Sequence, residues 1–437
     1  MNKYRDIIGR INYGLFLVIV FLLPFPQTPL RYACVLWIIF WGLEGRWLRK
    51  PTFNFQLSNN KSPIKNNKSQ ITNFKFVLPF LLFGTWYAWR ILSGLWAPDH
   101  AAWSWQMERY LTFGLMVPVG IWGVNRYYDW EKAGKVLILA CLCAIPFYLG
   151  GLTILLHHRE IIDTLQWRAE WDYSDTTWAP FIASNISIFK HRLFLCSVEI
   201  FGAILCWQIY RKRPAICIPA MLAMLSMIPL TGSRQSVVTF AAIVVAALIL
   251  QLPKRHRLRY GSLLLLLGIA LSAGVLHLHP RMQDFHLADI KQMRDVNHEH
   301  DARFNIWGVA LRHSQDYLAH GLGAGQSSQY MASHFEEEGF DYYYTKQYNT
   351  HNQYLEELVE LGIGGLLLFV IAWLFIPFCA QKKGRQTALL FTILFMLNMC
   401  TDCMFGRFCG IALWAVGLLF IFLQSDPERD QQAARNT

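Results

Sequence analysis

Long apolar stretches separated by shorter polar connections run through most of the chain. A helix needs about 20 mainly apolar residues to cross the hydrocarbon core of a bilayer, and about twelve stretches approach or reach that length. We therefore predict an all-α integral membrane protein with about 12 transmembrane helices. The predicted spans cover residues 11–26, 30–44, 76–96, 109–124, 135–156, 191–210, 214–230, 234–252, 259–279, 353–378, 387–402 and 407–424.

The polar segments divide the chain into three parts. Residues 1–279 hold the first nine spans and a low-complexity segment, 45–75, which has no apolar period and is interpreted as a flexible cytoplasmic linker. Residues 280–352 form a large polar loop, long enough to build short helices of its own. Residues 353–437 hold the last three spans and a polar tail.

Composition and charge agree with a membrane protein. The 437 residues are 54% hydrophobic and only 16% charged, which excludes an ordinary soluble protein. The net charge of +11 could indicate nucleic acid, but most of the Lys and Arg residues fall in alternate connections, as in cytoplasmic loops. This pattern predicts cytoplasmic termini, a large loop on the outer side, and membrane lipid instead of nucleic acid as a partner.

The exit of the large loop is the first candidate for chemistry. Thr350-His351-Asn352-Gln353 stands directly before an apolar span, and Thr350 and Gln353 have the capping-box spacing. This predicts a helix start with His351 in the first turn. Because a helix N-terminus opposes protonation of a nearby imidazole, we expect a neutral His351 that can act as a general base. The alternative is a polar residue at the membrane interface.

The short connection between the seventh and eighth spans is the second candidate. Gly232 permits close backbone approach, Ser233 is a predicted N-cap, and Arg234 is costly near lipid unless a polar cavity receives it. Free amides at a helix start favour an anion, so this turn is predicted to cradle a phosphate. Arg234 reaching lipid headgroups is the alternative. Lys190-His191-Arg192, at the start of the sixth span, can bind an anion or reach headgroups in the same way.

The large loop contains a predicted helix. Residues 301–311 have the pattern of a capped amphipathic helix, with Phe304, Trp307 and Leu311 on one face. Arg303 is expected on the same face as Trp307.

Two other features of the loop resemble ligand sites without meeting their requirements. Gly321-Leu322-Gly323-Ala324-Gly325 is predicted to be a flexible turn, and no strand precedes it as a nucleotide-binding fingerprint would need. His298-Glu299-His300-Asp301 contains metal-ligand residue types, but alternate spacing does not bring both imidazoles to one helix face. We predict no metal site and no cofactor.

Cys400, Cys403 and Cys409 cluster near one predicted membrane interface. They could form a disulfide if that side is oxidising, and connectivity cannot be read from the sequence.

Three motifs follow one another in the second half of the chain. Thr231-Gly232-Ser233-Arg234 opens a span, Arg303 and Trp307 precede the glycine-rich turn 321–325 in the large loop, and His351-Asn352 precedes Tyr354-Leu355 and Gly362. This order and the twelve-span layout resemble the O-antigen ligase and polymerase superfamily of bacterial envelope glycosyltransferases. The motifs cover roughly residues 190–380.

The resemblance implies a metal-independent glycosyltransferase in the bacterial inner membrane, with its active site on the periplasmic face. It would move a glycan from undecaprenyl pyrophosphate to a sugar hydroxyl of lipid A-core, and a single displacement of this kind inverts the anomeric configuration. His351 matches the family's essential histidine. The donor pyrophosphate is expected to bind the arginines Arg234, Arg303 and, less securely aligned, Arg192. Supporting roles are expected for Ser233, Asn352 and Trp307. Because His351 and the arginines must act on one substrate, we expect them to converge in one hollow.

Other functions share parts of this pattern. An O-antigen polymerase, which extends the lipid-linked glycan itself, and a protein O-oligosaccharide ligase have the same motifs. A multi-span transporter is the alternative of a different class. Transporters show internal repeats and ionisable residues near the middle of the membrane. We find neither a convincing repeat nor a charge in the middle of a predicted span, which disfavours a transporter.

Overall fold

The computed structural model describes residues 2–48, 65–157, 190–278 and 302–425. Within these ranges the chain is all-helical, which confirms the all-α part of the predicted fold class. The α-helices are α1 (Asn2–Leu22), α2 (Gln27–Leu43), α3 (Lys65–Leu92), α4 (His100–Trp122), α5 (Trp130–His157), α6 (Arg192–Tyr210), α7 (Pro214–Leu225), α8 (Met227–Thr231), α9 (Arg234–Gln251), α10 (Arg257–Leu278), α11 (Ala302–Arg312), α12 (Ser327–Glu337), α13 (Asp341–Lys346), α14 (Gln353–Cys379), α15 (Lys382–Met399) and α16 (Phe408–Ser425).

Each predicted span coincides with one or two of these helices, but not every helix is apolar enough to cross a membrane by itself. Among the described helices, five segments meet length and composition requirements together: Trp130–Ile154, Arg192–Tyr210, Pro214–Thr231, Arg234–Gln251 and Gln353–Cys379. Two shorter apolar helices are Arg259–Gly274 and Phe408–Gln424. The structure therefore has five candidate spans, and the total of about 12 is not confirmed.

The polar segments differ in part from their predicted form. Helix α3 begins at Lys65, inside the predicted linker 45–75, because no Gly or Pro interrupts the chain from there to Pro79. The large loop contains the short helices α11, α12 and α13, as predicted. The His298–Asp301 cluster lies outside the described residues.

The chain forms two compact units, which cut across the three predicted parts. Unit 1 comprises Met1–Phe16, Ala33–Asp129 and Leu287–Thr437, and unit 2 comprises Leu17–Tyr32 and Trp130–His286. The described part of the large loop belongs to unit 1 because its backbone is hydrogen-bonded to α14. The amides of Leu322 and Gly323 donate to the carbonyls of Val359 and Glu360, each at 2.9 Å.

An aromatic cluster forms the centre of unit 1. Phe113 of α4 lies 4.2 Å from Trp414 of α16 and 4.8 Å from Phe405, measured between ring centroids. Phe83 of α3 packs edge-on against Trp373 of α14 at 5.6 Å. Such pairs contribute about 0.5–1.5 kcal/mol each beyond their burial. The cluster therefore fixes the segment around Phe405, which borders the candidate site.

Helix α6 is the centre of unit 2, and its side chains are buried from Leu193 to Cys206. A helix that is apolar on all sides is stable only when neighbours surround it. Leu195 packs with Tyr148 of α5 and Met227 of α8. Arg192, the first residue of α6, is half-buried at its end.

Candidate active site

His351 lies immediately before α14, in an unusual backbone conformation. Its φ of 45° is in the left-handed region, which costs a residue with a side chain on the order of 1–3 kcal/mol. The backbone N–H of His351 donates to Asn349 Oδ1 at 3.1 Å, and the ring packs edge-on against Tyr348 with centroids 5.3 Å apart. The side chain keeps 33% of its surface exposed. The imidazole is thus held in place but open to a substrate.

The predicted capping box is wrong in detail. Asn352 is the N-cap of α14, and its side-chain oxygen accepts from the amides of Tyr354 at 2.9 Å and Leu355 at 3.2 Å. Thr350 is not the cap: its hydroxyl donates to Glu356 Oε2 at 2.8 Å, and the amide that donates to it is that of Asn352, which precedes the helix, at 3.4 Å. His351 therefore precedes the helix and is not part of its first turn. Asn352, expected as a supporting residue, orients the helix next to His351.

Three charged groups surround His351. Nδ1 lies 3.9 Å from Asp402 Oδ1, and the positive charges of Arg303 and Arg407 act on the ring. Burial is the largest cause of a lowered pKa of His351, Asp402 opposes it, and the two arginines add to it. The expectation of a neutral imidazole is confirmed in direction. Burial and the two guanidinium charges are causes of the lowered pKa of His351 that the sequence did not indicate.

Helix α11 carries Arg303 to this position, and Trp307 fixes the helix there. The indole N–H of Trp307 donates to the carbonyl oxygen of Thr350 at 3.0 Å, which joins α11 to the residue before His351. Arg303 is half-buried one turn earlier on α11. The structure therefore brings together three of the predicted site residues, Arg303, Trp307 and His351.

The predicted apolar face of α11 is wrong. Phe304 and Leu311 are exposed, whereas a different stripe is buried in the loop's own core: Ile306, Val309 and Ala310 packed against Met331, Phe335, Phe340 and Tyr343. Both stripes have helical spacing, so periodicity alone could not choose between them. The choice comes from α12 and α13, which cover only one side of α11.

The segment between α15 and α16 supplies Asp402 and Arg407. The amide of Phe405 donates to Gln353 Oε1 at 2.9 Å, which ties the segment to the first turn of α14. Cys403 is buried with its sulfur 3.6 Å from the Thr350 hydroxyl. All ten cysteines are free, so the possible disulfide among Cys400, Cys403 and Cys409 is not formed.

A buried polar network lies beneath the site. Arg90 of α3 is fully buried and donates to Glu360 Oε2 at 2.7 Å and to both carboxylate oxygens of Glu357 at 3.0 and 3.1 Å. Gln353 Nε2 donates to Glu357 Oε1 at 2.7 Å. The hydroxyl of Ser327 donates to the neighbouring carboxylate of Glu356. These contacts fix the start of α14, and with it the backbone of the adjacent residue His351.

Buried charges contradict one prediction from the sequence. Charged residues do lie within predicted spans: Arg90, Glu356, Glu357 and Glu360 in unit 1 and Glu199 in unit 2 are all buried. The prediction that no span carries a charge in its middle is therefore wrong, because Glu199 lies in the middle of the predicted span 191–210. Charge placement does not disfavour a transporter, although Arg90 is paired with Glu357 and Glu360 near the start of α14.

The glycine-rich turn 321–325 is rigid, not flexible as predicted. Gly321, Gly323 and Gly325 all have positive φ, at 75°, 102° and 83°. A side chain at Gly321 would overlap the backbone of Glu360. The turn meets α14 where the helix is broken at Gly362, whose φ is 66°. The break leaves backbone carbonyls of α14 without helical partners, and amides of the turn donate to them. Glycine is required here for close backbone approach.

Gly321→Ala is expected to destabilise the protein far more than Gly339→Ala. Both glycines have similar φ values, 75° and 78°, so both substitutions carry the cost of about 1–2 kcal/mol for a left-handed residue. Only Gly321 faces backbone atoms, whereas Gly339 faces open space. Thermal unfolding of the two purified variants measures the difference. Equal melting temperatures would show that the turn does not pack tightly against α14.

The turn before α9 has the predicted backbone and a different side-chain arrangement. Gly232 is left-handed, with φ 57° and ψ 32°, and Ser233 is the N-cap residue of α9. The Ser233 hydroxyl pairs with Ser236 Oγ at 2.7 Å and does not bond a helix amide. Arg234 is the first residue of α9 and is half-buried. The N-cap position is confirmed, but capping by the serine side chain is not.

Within unit 2, this turn packs against the start of α6. Cys196 Sγ of α6 lies 3.1 Å from Thr231 Oγ1, the last residue of α8, so α6 contacts the chain directly before the turn that leads to Arg234. Three of the predicted site residues, Arg192, Ser233 and Arg234, therefore lie in unit 2, and Arg303, Trp307, His351 and Asn352 lie in unit 1. The convergence of all of them on one substrate stays a prediction.

Sequence reasoning missed four groups that shape the site: Asp402, Arg407, Arg90 and the glutamates of α14. The glutamates had a signal, because Glu356, Glu357 and Glu360 stand within a predicted span, where acidic residues are rare and are usually functional or paired. Asp402 and Arg407 had none, since they stand at a span edge about fifty residues from His351.

Comparison with known proteins agrees with the resemblance seen in the motifs. Residues 219–370 match the family described as O-antigen ligase. The matched range contains Arg234, Arg303 and His351 and ends before Asp402. No curated protein matches the chain. The family match supports a membrane glycosyltransferase of the O-antigen ligase or polymerase type.

Proposed function

We propose that this chain, a member of the O-antigen ligase superfamily by the match of its residues 219–370, is an O-antigen ligase. It would transfer a glycan from undecaprenyl pyrophosphate to a sugar hydroxyl of lipid A-core. In this proposal about twelve spans place both termini in the cytoplasm and the His351 site on the periplasmic side of the inner membrane. The single observation that carries the proposal is a half-buried imidazole that lies 3.9 Å from the carboxylate of Asp402 and whose pKa is lowered by burial and by the charges of Arg303 and Arg407.

His351 acts as the general base in the proposed reaction. The acceptor hydroxyl oxygen attacks the anomeric carbon, its proton moves to the imidazole, and the bond between that carbon and the pyrophosphate oxygen breaks. The carboxylate of Asp402 near Nδ1 favours a proton on that nitrogen and leaves Nε2 to accept the new one. Proton transfer to a positioned base typically contributes 10²–10⁴-fold to a rate. A single displacement inverts the anomeric configuration.

Arginines stabilise the leaving group in this proposal. The departing pyrophosphate gains negative charge, and pre-oriented guanidinium groups stabilise that charge without reorganisation during the reaction. Among the residues that the structure describes, no carboxylate forms an ion pair with Arg303 or Arg407. Their charges are therefore available to an anion. Arg234 and Arg192 are proposed to bind the donor pyrophosphate as well.

Reconstitution tests the proposal directly. The purified protein is mixed with an undecaprenyl-pyrophosphate glycan and lipid A-core, and the product is followed as a mobility shift of the lipid A-core band. Transfer to the core is expected. If the glycan is instead lengthened on its own lipid carrier, the protein is a polymerase. A protein acceptor that becomes glycosylated under the same conditions indicates a protein O-oligosaccharide ligase, and the absence of every product contradicts transferase activity.

The pH dependence of transfer is expected to follow the protonation of His351. A base must be neutral, so activity should rise with pH through the pKa of His351, which lies below its ordinary value. Removing a neighbouring positive charge raises this pKa. Arg407→Gln should therefore move the acidic limb of the rate profile to higher pH. Removing the negative charge by Asp402→Asn should move it to lower pH. Initial rates measured between about pH 4 and 8 give the two shifts.

The opposite signs of these shifts make the test specific. A variant that merely disturbs the fold would lower the rate at every pH and leave the midpoint of the limb unchanged. If the acidic limb moves in the same direction in Arg407→Gln and in Asp402→Asn, His351 is not the titrating group.

A further inference from the structure

We propose a divalent transition-metal site in the 302–352 segment, formed by His313, Asp316 and His334 and separate from the His351 site. Each of the three side chains offers one ligand atom, and these atoms lie within 4.8 Å of one another. Two imidazoles and one carboxylate form a ligand set that suits Zn²⁺. The site would join the end of α11 to α12.

Hydrogen bonds to the two imidazoles leave each ring one nitrogen for a metal. His334 Nδ1 lies 2.8 Å from the carbonyl oxygen of Tyr330, which can only accept, so Nδ1 carries the proton and Nε2 keeps its lone pair. His313 Nε2 lies 3.0 Å from Glu338 Oε1 and donates to it in the same way. Histidine ligands in metal sites normally donate their second N–H to a carbonyl or carboxylate, and both rings have this arrangement.

Glu338 is fixed as an acceptor. Arg312 Nε donates to Glu338 Oε1 at 3.2 Å, and the Arg312 guanidinium also donates to Oε2. A carboxylate held by a guanidinium in this way can accept from the His313 ring but cannot donate to it. Glu338 therefore has the position of an outer carboxylate that orients a metal-binding histidine.

Asp316 completes the set with a carboxylate oriented by a tyrosine. The Tyr330 hydroxyl donates to Asp316 Oδ2 at 2.6 Å, and Oδ1 is the other oxygen that the side chain can offer. The rings of His313 and His334 are 4.0 Å apart between centroids, which is close enough for one cation to bind a nitrogen of each ring.

The distances require only small movements. Zinc binds nitrogen at about 2.0–2.1 Å, which places two ligand atoms about 3.3 Å apart in a tetrahedral site. Atoms within 4.8 Å of one another reach that spacing by rotations of side chains that are partly exposed, at 31% for His313 and 14% for His334. Water can occupy the remaining position.

Titration of the full-length protein with ZnCl₂ tests the site. After treatment with a chelator, the wild type should bind one more equivalent of zinc than the double variant His313→Ala/His334→Ala, and only the wild type should gain thermal stability from it. His320→Ala is the matched control, since His320 is an exposed histidine of the same segment. It should bind zinc like the wild type.

A third variant separates a metal site from a simple cluster of polar groups. Glu338→Gln keeps all three ligands and is expected to weaken zinc binding about 10–100-fold, the usual effect of losing an outer partner. Equal zinc stoichiometry in the wild type and the double variant, or an affinity that Glu338→Gln leaves unchanged, would overturn the proposal. Neither result bears on glycan transfer, so the two proposals fail independently.

Discussion

His351→Ala is expected to abolish glycan transfer while the protein still inserts into the membrane. The base contributes about 10²–10⁴-fold to the rate, and an alanine side chain cannot accept the proton of the acceptor hydroxyl. The measurement is the amount of lipid A-core that carries glycan, determined on gels from cells that contain only the variant protein. Normal amounts of capped lipopolysaccharide would contradict a catalytic role for His351.

The backbone at His351 calls for a second variant. Because φ is 45°, alanine adds strain that could itself lower activity. Asparagine tolerates the left-handed conformation better than other residues with a side chain, and it cannot accept a proton from the acceptor. His351→Asn should therefore be as inactive as His351→Ala but should melt at the temperature of the wild type. An active His351→Asn protein would show that position 351 serves the fold instead of the chemistry. His320→Ala controls for loss of an exposed histidine.

Arg90→Met is expected to destabilise the folded protein by about 3–5 kcal/mol. The substitution leaves Glu357 and Glu360 buried without their positive partner, and a buried unpaired charge is costly. Unfolding in a graded detergent series measures the loss. The exposed pair Arg126 and Asp6 is the matched control, because solvent screens it. Arg126→Met should change stability little.

A triple variant separates charge from packing. Arg90→Met combined with Glu357→Gln and Glu360→Gln removes all the buried charge, and replacement of a complete buried ion pair is often neutral for stability. Most of the lost stability should return. If the triple variant is as unstable as Arg90→Met, the arginine acts through its contacts with Trp86 and Tyr110, whose ring centroids lie 4.9 and 4.4 Å from its guanidinium carbon.

The sequence predicted the helices well because their signal is local. Apolar stretches such as 135–156 and 353–378 were found within a few residues of their true ends, since a helix in an apolar surrounding satisfies its own backbone. Trp307 and Arg303 were predicted on one helix and found there. The linker was less predictable, because low complexity did not prevent α3 from beginning at Lys65.

The candidate site was predictable only in part. His351 stood out because of its place before an apolar span. Its neighbours Asp402 and Arg407 come from the connection between the last two helices, and no spacing rule joins residues so far apart. The face of α11, the cap of α14 and the rigid glycine turn were also decided by contacts with other elements.

The sequence alone determined that this protein is a helical membrane protein with a polar segment ending at His351. Hydrophobic length and helical period are properties of neighbouring residues, so they can be read from the chain. Only the tertiary structure decided which charges reach His351, and that burial together with Arg303 and Arg407 lowers its pKa. These effects depend on distances through space, which separate elements fix when they pack.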